Sequence, residues 1–83
     1  MAVEVTMPKL GHIMEEGKVA HWSKSPGDQV AKGEILFEVE TDKGVLEVES
    51  VLSGVLLKIL VEAGQTMPVG AVLAFIGQAG ESV

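Results

Sequence analysis

Residues 38–49 have the sequence EVETDKGVLEVE, in which two apolar and acidic segments flank a single lysine. Folded back on itself, it predicts a β-hairpin in which Val39 faces Leu46, with apolar side chains on one face and carboxylates on the other. A loop one residue shorter would set Val39 against a glutamate, so the register favours a four-residue loop. Such loops are usually built on a type I turn, whose last position suits Gly44. Lys43 is therefore predicted at the exposed tip. The predicted pairs are Phe37 with Val48, Glu38 with Glu47, Val39 with Leu46, and Glu40 with Val45.

Composition narrows the classes of protein to which this chain can belong. Its 83 residues suffice for one small domain, and 47% of them are hydrophobic. The absence of Cys excludes disulfides, thiolate metal sites and cysteine nucleophiles. Six Lys, no Arg and twelve acidic residues give a net charge of −6, which argues against nucleic acid and anionic membrane surfaces as partners. Two scattered histidines, His12 and His21, do not suggest a metal site.

Alternating apolar residues and turn-forming residues predict an all-β chain without long helices. The predicted strands cover residues 3–7, 17–22, 35–40, 45–49, 55–61 and 72–76. The chain also repeats itself at an offset of 37 residues. The matched pairs include three of glycine (Gly17 and Gly54, Gly27 and Gly64, Gly33 and Gly70) and six of apolar residues (Val19 and Leu56, Trp22 and Ile59, Val30 and Met67, Ile35 and Val72, Leu36 and Leu73, Val39 and Ile76). The repeat predicts two small antiparallel sheets, packed face to face with pseudo-two-fold symmetry.

Lys43 allows two interpretations. A charged side chain at a hairpin tip commonly does no more than discourage association between sheet edges. Alternatively, an exposed primary amine can be acylated by an enzyme that removes its proton. The surrounding acids would then form a collar that a partner could recognise, although they are equally consistent with ordinary solvated strand faces. The collar comprises Glu38, Glu40, Asp42, Glu47 and Glu49.

The stretch Glu40-Thr41-Asp42-Lys43-Gly44 resembles the lipoylation site of the lipoyl domains of 2-oxo acid dehydrogenase complexes. The resemblance extends from about Val3 to Ile76. Gly44 departs from the family pattern, in which Ala is most frequent, but the residue is still small. Further matching segments are residues 7–11, 14–17, 27–30 and 32–33, together with Trp22, Lys24, Gly54, Ile59, Gly64, Val69 and Gly70.

The resemblance implies a flattened β-barrel of two sheets in which Lys43 carries lipoate in amide linkage. The lipoyl arm would accept an acyl group from a thiamin diphosphate-dependent decarboxylase and deliver it to coenzyme A at an acyltransferase domain. Dihydrolipoyl dehydrogenase would reoxidise it, and a lipoyl ligase or transferase would attach it. The implied recognition residues are Glu40, Thr41, Asp42, Gly44 and His12, the last in a loop that lies near the hairpin in this family.

Residues 1–77 are therefore expected to form a lipoyl domain, and residues 78–83 to begin a flexible linker or tail. The domain itself is expected to be non-catalytic and monomeric, and to bind no metal. The parent protein is expected to be a dihydrolipoamide acyltransferase of the pyruvate or acetoin type, in the cytoplasm or the mitochondrial matrix. Two alternatives stay open. They are a biotinyl carrier domain, whose lysine normally lies between two methionines, and an unmodified β-sandwich that serves only as an interaction or assembly module.

Overall fold

A computed structural model describes residues 2–11 and 14–82 of the chain. All regular structure within these residues is β-strand, in agreement with the sequence pattern. In chain order the strands are β1 (Val3–Thr6), β2 (Glu16–Trp22), β3 (Gln29–Val30), β4 (Ile35–Thr41), β5 (Gly44–Glu49), β6 (Gly54–Ile59), β7 (Thr66–Pro68) and β8 (Val72–Gly77). The sequence pattern predicts six of them but not the two short strands β3 and β7.

The strands form two four-stranded antiparallel sheets, ordered β1-β8-β6-β3 and β5-β4-β2-β7. The two orders correspond strand by strand, since β6, β7 and β8 repeat β2, β3 and β4. Even the irregularities correspond: the register shifts between Val19 and His21 in one sheet and between Leu56 and Lys58 in the other. The predicted pseudo-two-fold sandwich is thus confirmed. No strand pairing joins the sheets in the described ranges, so they do not form a closed barrel.

The two short strands exchange sheets. β3 follows β2 along the chain but pairs with β6, whereas β7 follows β6 but pairs with β2. Equivalent hydrogen bonds accompany the exchange, because Gly27 N–H donates to the carbonyl of Leu56 and Gly64 N–H to that of Val19, each at 2.7 Å. Each half of the chain therefore completes the sheet of the other half.

The repeated apolar positions supply most of the core. Leu36 and Leu73 are fully buried, as are the matched pairs Val19 with Leu56 and Val39 with Ile76. Trp22 lies at the margin of this core, with its ring 4.9 Å from that of Phe37. Its indole Nε1–H donates to the Val61 carbonyl at 2.8 Å and so links β2 to the segment after β6. Among the described residues, the buried hydrophobic ones are Met7, Val19, Val30, Leu36, Phe37, Val39, Leu56, Val61, Leu73, Ala74 and Ile76.

Candidate functional site

The hairpin formed by β4 and β5 carries Lys43 at its tip. All four predicted pairs are observed, and Thr41 additionally pairs with Gly44. Because the pairing continues one residue further toward the tip, only Asp42 and Lys43 remain in the connection, which is shorter than the predicted four-residue loop. The register prediction is confirmed, and the loop length is corrected.

Backbone conformation and one side chain shape this tip. Only glycines have positive φ among the described residues, so Asp42 and Lys43 have the negative φ values that a type I turn requires. Gly44, directly after them, has a φ of +117°. The hydroxyl Oγ1 of Thr41 accepts the Lys43 N–H at 3.1 Å and donates to the Gly44 carbonyl at 3.0 Å. The Thr41 side chain is therefore hydrogen-bonded to the backbone of both Lys43 and Gly44.

Lys43 presents its amine to solvent. The residue is exposed, and within the described part of the chain no carboxylate lies close enough to form an ion pair with it. Space around the tip is open, since a Cβ added to Gly44 would meet no atom within 4 Å. Asp42 and Glu40 are also exposed, and Thr41 is half-buried. This geometry fits a group attached through an amide bond, because the nitrogen can be approached without displacing a neighbour.

Carboxylates occupy the outer face of the same hairpin. Glu38 and Glu47 lie directly opposite each other, and Glu40 is two residues nearer the tip. In β4, Phe37 and Val39 are buried whereas Glu38 is half-buried and Glu40 exposed, which places these glutamates on the side away from the core. The neighbouring strand β2 sets Lys18 opposite Glu40 and His21 opposite Glu38. Glu38, Glu40 and Glu47 of the predicted collar thus share one sheet face, which also carries Lys18 and His21, whereas Asp42 lies in the turn.

An open cleft of about 630 Å³ lies beside the hairpin. Thr41, Lys43 and Leu46 line it on one side, and Leu10 and Met14 line it on the other. The described part of the loop between β1 and β2 therefore lies next to the hairpin. Leu46 is not recognisable as part of this site from the sequence, because its place in the alternation marks it only as a core-facing residue. In the structure Leu46 is 39% exposed.

Met14 anchors this loop to the floor of the cleft. The N–H of Leu10 donates to the sulfur of Met14 at 3.2 Å, and the Met14 N–H donates to the Gly11 carbonyl at 3.3 Å. The Met14 Cε fills the space over Gly17, where an added Cβ would lie only 2.7 Å from it. His12, which was predicted to take part in recognition, lies outside the described residues.

The loop is also where the internal repeat loses its symmetry. Met7 corresponds to Ser50, because both carbonyls accept the N–H of an equivalent glycine at 2.9 Å. That correspondence has an offset of 43 residues, whereas Gly17 and Gly54 correspond at 37. The first half therefore contains six extra residues in the loop that lines the cleft. A search of the sequence at a second offset could have found this insertion.

The rest of the described chain gives weaker indications of a functional site than the hairpin and its cleft do. In residues 2–11 and 14–82 no three His, Cys, Asp or Glu side chains are grouped so that they could hold a metal ion. The same residues include no helix of the length and hydrophobicity needed to cross a membrane. A second cleft of about 720 Å³ lies near Lys24, Glu34 and Ser53, and it shares no lining residue with the first.

Comparison with known proteins adds family relationships to this geometry. A family model described as Biotin_lipoyl, biotin-requiring enzyme, matches residues 3–76. The chain is 43% identical over 83 residues to the dihydrolipoyllysine-residue acetyltransferase component of the acetoin cleaving system of Bacillus subtilis. It is 46% identical over 84 residues to the corresponding component of the pyruvate dehydrogenase complex of Zymomonas mobilis. These matches cover all of this chain but only 21% and 19% of the relatives, so the chain spans about a fifth of their length.

Two solved structures share the fold. The lipoyl domain of the 2-oxoglutarate dehydrogenase complex from Azotobacter vinelandii has a TM-score of 0.75 and 32% identity, with 94% of this chain and 99% of that chain covered. The urea carboxylase of Kluyveromyces lactis has a TM-score of 0.76 over 93% of this chain and 6% of that protein. At 23% identity, the second likeness shows the fold alone.

Proposed function

The chain belongs to the Biotin_lipoyl family and is a lipoyl domain like those of dihydrolipoyllysine acetyltransferases, and on that premise we propose that Lys43 carries lipoate. The observation that carries the proposal is the exposed Lys43 amine on a two-residue connection with open space around it. Attachment forms an amide between Lys43 Nζ and the activated carboxyl carbon of lipoate. The amine is then no longer basic, so the formal charge of the chain changes from −6 to −7.

The domain acts as a carrier and not as a catalyst. When bound, lipoate would supply a reducible disulfide on a long arm, which can carry an acyl group as a thioester from a thiamin diphosphate-dependent decarboxylase to coenzyme A. The chain supplies the base of that arm. Its paired strands hold the Lys43 backbone outward, so only the side chain and the attached group need to move. Tethering makes the encounter of distant active sites intramolecular and raises the effective concentration of the arm.

We further propose the proteins with which this domain interacts. Its partners are a lipoyl ligase or transferase, a decarboxylase, an acyltransferase catalytic domain and dihydrolipoyl dehydrogenase. The parent protein is a dihydrolipoamide acyltransferase of the pyruvate or acetoin type, which acts in the cytoplasm or the mitochondrial matrix. The isolated domain is a monomer. Residues 1–77 form the domain, and a linker begins within 78–83.

Two surfaces support recognition by these partners. The hairpin contributes Glu40 and Asp42 to one wall of the cleft, with Gly44 next to Lys43 at the tip, and the loop between β1 and β2 contributes the opposite wall. Because a cleft bounded by both segments can be read together with Lys43, a partner can distinguish this lysine from the other exposed ones. His12 belongs to the same loop and is included in the proposal on the family resemblance alone.

The test of attachment is a measurement of intact mass. The domain is incubated with a lipoyl ligase, lipoate and ATP, and the modified residue is located by peptide mapping. We expect one lipoyl adduct on Lys43 and none on Lys43→Arg. The variant should keep the wild-type free energy of unfolding within about 0.5 kcal/mol, because an exposed side chain at a tip contributes little to stability. A parallel reaction with a biotin ligase and biotin should leave the mass unchanged.

Other outcomes would point elsewhere. A biotin adduct on Lys43 would identify a biotinyl carrier, and no adduct from either ligase would favour the unmodified assembly module. The choice of decarboxylase is tested separately, by measuring reductive acylation of the lipoylated domain by pyruvate-, acetoin- and 2-oxoglutarate-type enzymes. We expect activity with one of the first two, and acylation by the 2-oxoglutarate enzyme alone would contradict the proposed parent protein.

A further inference from the structure

We propose that the Thr41 hydroxyl is a positioning group for the modification of Lys43. It holds the tip in the backbone conformation that the lipoyl-attaching enzyme binds. This inference rests on the carrier function proposed above. It concerns a side chain that does not touch the reacting amine and acts through the backbone of Lys43 instead.

Two hydrogen bonds from one oxygen carry the argument. Thr41 Oγ1 accepts the Lys43 N–H at 3.1 Å and donates to the Gly44 carbonyl at 3.0 Å. A hydroxyl has one proton and two acceptor lone pairs, so both bonds can exist together. One bond orients the peptide group between Asp42 and Lys43, and the other orients the peptide group between Gly44 and Val45. The peptide groups before Lys43 and after Gly44 are therefore both held by the end of β4.

No other side chain provides this restraint. In the part of the chain that the structure describes, the only side-chain hydrogen bonds within residues 41–44 are those of Thr41. Asp42 and Lys43 are exposed, and Gly44 has no side chain. Glycine is also the most conformationally free residue, so the tip without the hydroxyl would explore more backbone conformations.

The equivalent strand end in the other half of the molecule has no hydroxyl. β8 is the counterpart of β4 in the internal repeat, and Gln78, at its end, lies 37 residues after Thr41. The turn after β8 closes differently: Glu81 N–H donates to the Gln78 carbonyl at 3.0 Å, and Gln78 N–H donates to a Glu81 carboxylate oxygen at 3.0 Å. The hydroxyl arrangement thus belongs to the end of the molecule that carries Lys43.

A restrained tip lowers the concentration of domain that the enzyme needs. If only a fraction of molecules has the binding-competent conformation, the apparent dissociation constant rises by the inverse of that fraction. Removing the hydroxyl should therefore raise KM for the domain and leave kcat unchanged. Thr41→Val is the appropriate variant because valine keeps the β-branched shape and suits a strand end.

The experiment compares lipoylation kinetics of the wild type, Thr41→Val, Thr41→Ser and Ser53→Ala. Ser53 is the matched control, because its Oγ accepts the Lys32 N–H at 2.9 Å beside the other cleft. We expect a rise of about tenfold in KM for Thr41→Val, which corresponds to about 1.4 kcal/mol. Thr41→Ser and Ser53→Ala should stay near the wild-type KM. Amide hydrogen exchange should show faster exchange at Lys43 in Thr41→Val only.

Each other result has a defined meaning. An unchanged KM for Thr41→Val, with or without a lower melting temperature, would overturn the positioning role while the carrier function stands. An equal rise in Thr41→Ser would show that shape and not the hydroxyl matters, and would also overturn it. If Thr41→Val fails to fold, Thr41→Ala replaces it with the same expected KM. Absence of modification in the wild type would instead refute the proposed function itself.

Discussion

At the scale of the residue, Lys43 and Gly44 have different roles at the hairpin tip. Lys43 supplies a solvent-exposed amine with no ion-pair partner among the described residues. Gly44 supplies a backbone conformation with φ of +117°, which L side chains rarely adopt. The turn can therefore be tight although neither of its central residues is glycine. The exposure of the Lys43 amine therefore depends on the positive φ that Gly44 can adopt.

Replacing Gly44 with Ala should destabilise the domain. We expect a loss of about 1–2 kcal/mol, because the added Cβ meets no atom but the positive φ becomes unfavourable. Chemical denaturation would measure the loss. Gly11→Ala is the control, since Gly11 also has open space and its φ lies outside the positive range. Equal stability of the two variants would mean that the hairpin can form with a negative φ at position 44.

At the scale of the element, matched glycines serve two different purposes. Gly27 and Gly64 have φ of +97° and +98°, so they permit equivalent turns. Gly17 and Gly54 instead allow close packing of strands. A Cβ on Gly54 would lie 2.8 Å from the carbonyl oxygen of Gly77, and one on Gly17 would lie 2.7 Å from a methyl group of Val39. The repeat thus preserves both turns and contacts.

Alanine at either close-packed glycine should destabilise the sandwich. We expect Gly54→Ala to lower the free energy of unfolding by about 1–3 kcal/mol, because a backbone carbonyl cannot move aside as a side-chain end can. Gly17→Ala should fall in the same range, since the buried Val39 is stiff at χ1. Urea denaturation of both variants provides the measurement. A loss below about 0.5 kcal/mol at Gly54 would contradict the observed approach of β6 to β8.

The turn before β4 makes stability depend on pH. The Ala31 N–H, bonded to Glu34 Oε1 at 2.7 Å, and then the nearby Lys24 hold the pKa of Glu34 below its usual value of 4.5. Since the folded state binds this proton less readily than the unfolded state, the contribution is complete above pH 4.5 and is lost as the pH falls through the lower folded pKa. Glu34→Gln should therefore differ most from the wild type above pH 4.5. Chemical denaturation of both proteins between pH 3 and 7 would measure this. A difference in free energy of unfolding that does not change with pH would contradict the assignment.

At the scale of the whole molecule, the two halves depend on each other. β3 and β7 complete the sheet to which the opposite half contributes its longer strands. Leu36 and Leu73 occupy equivalent places in the resulting core, with 1% and 0% exposure. One shared core implies that damage to either half is damage to the whole domain.

Truncating either core leucine should remove much of the domain's free energy of unfolding. We expect Leu36→Ala and Leu73→Ala each to lower the free energy of unfolding by about 2–5 kcal/mol, as buried leucines generally do. Both variants should unfold in a single transition, which circular dichroism and Trp22 fluorescence can follow together. Two separate transitions, or a loss confined to one variant, would contradict a shared core.

The sequence by itself determined the hairpin register, the exposed lysine and the paired glycines. Each depends on neighbours along the chain or on a repeat that can be counted, and side chains alternate between the two faces from Phe37 to Glu40, where the pairing with β5 is regular. The tertiary structure alone showed that β3 and β7 exchange sheets and that the Thr41 hydroxyl hydrogen-bonds to the backbone of Lys43 and Gly44, whereas the place of the loop beside the hairpin was expected from the family resemblance. Strands of two or three residues show no periodicity, and their partners are distant in sequence, so these contacts follow from packing the whole chain.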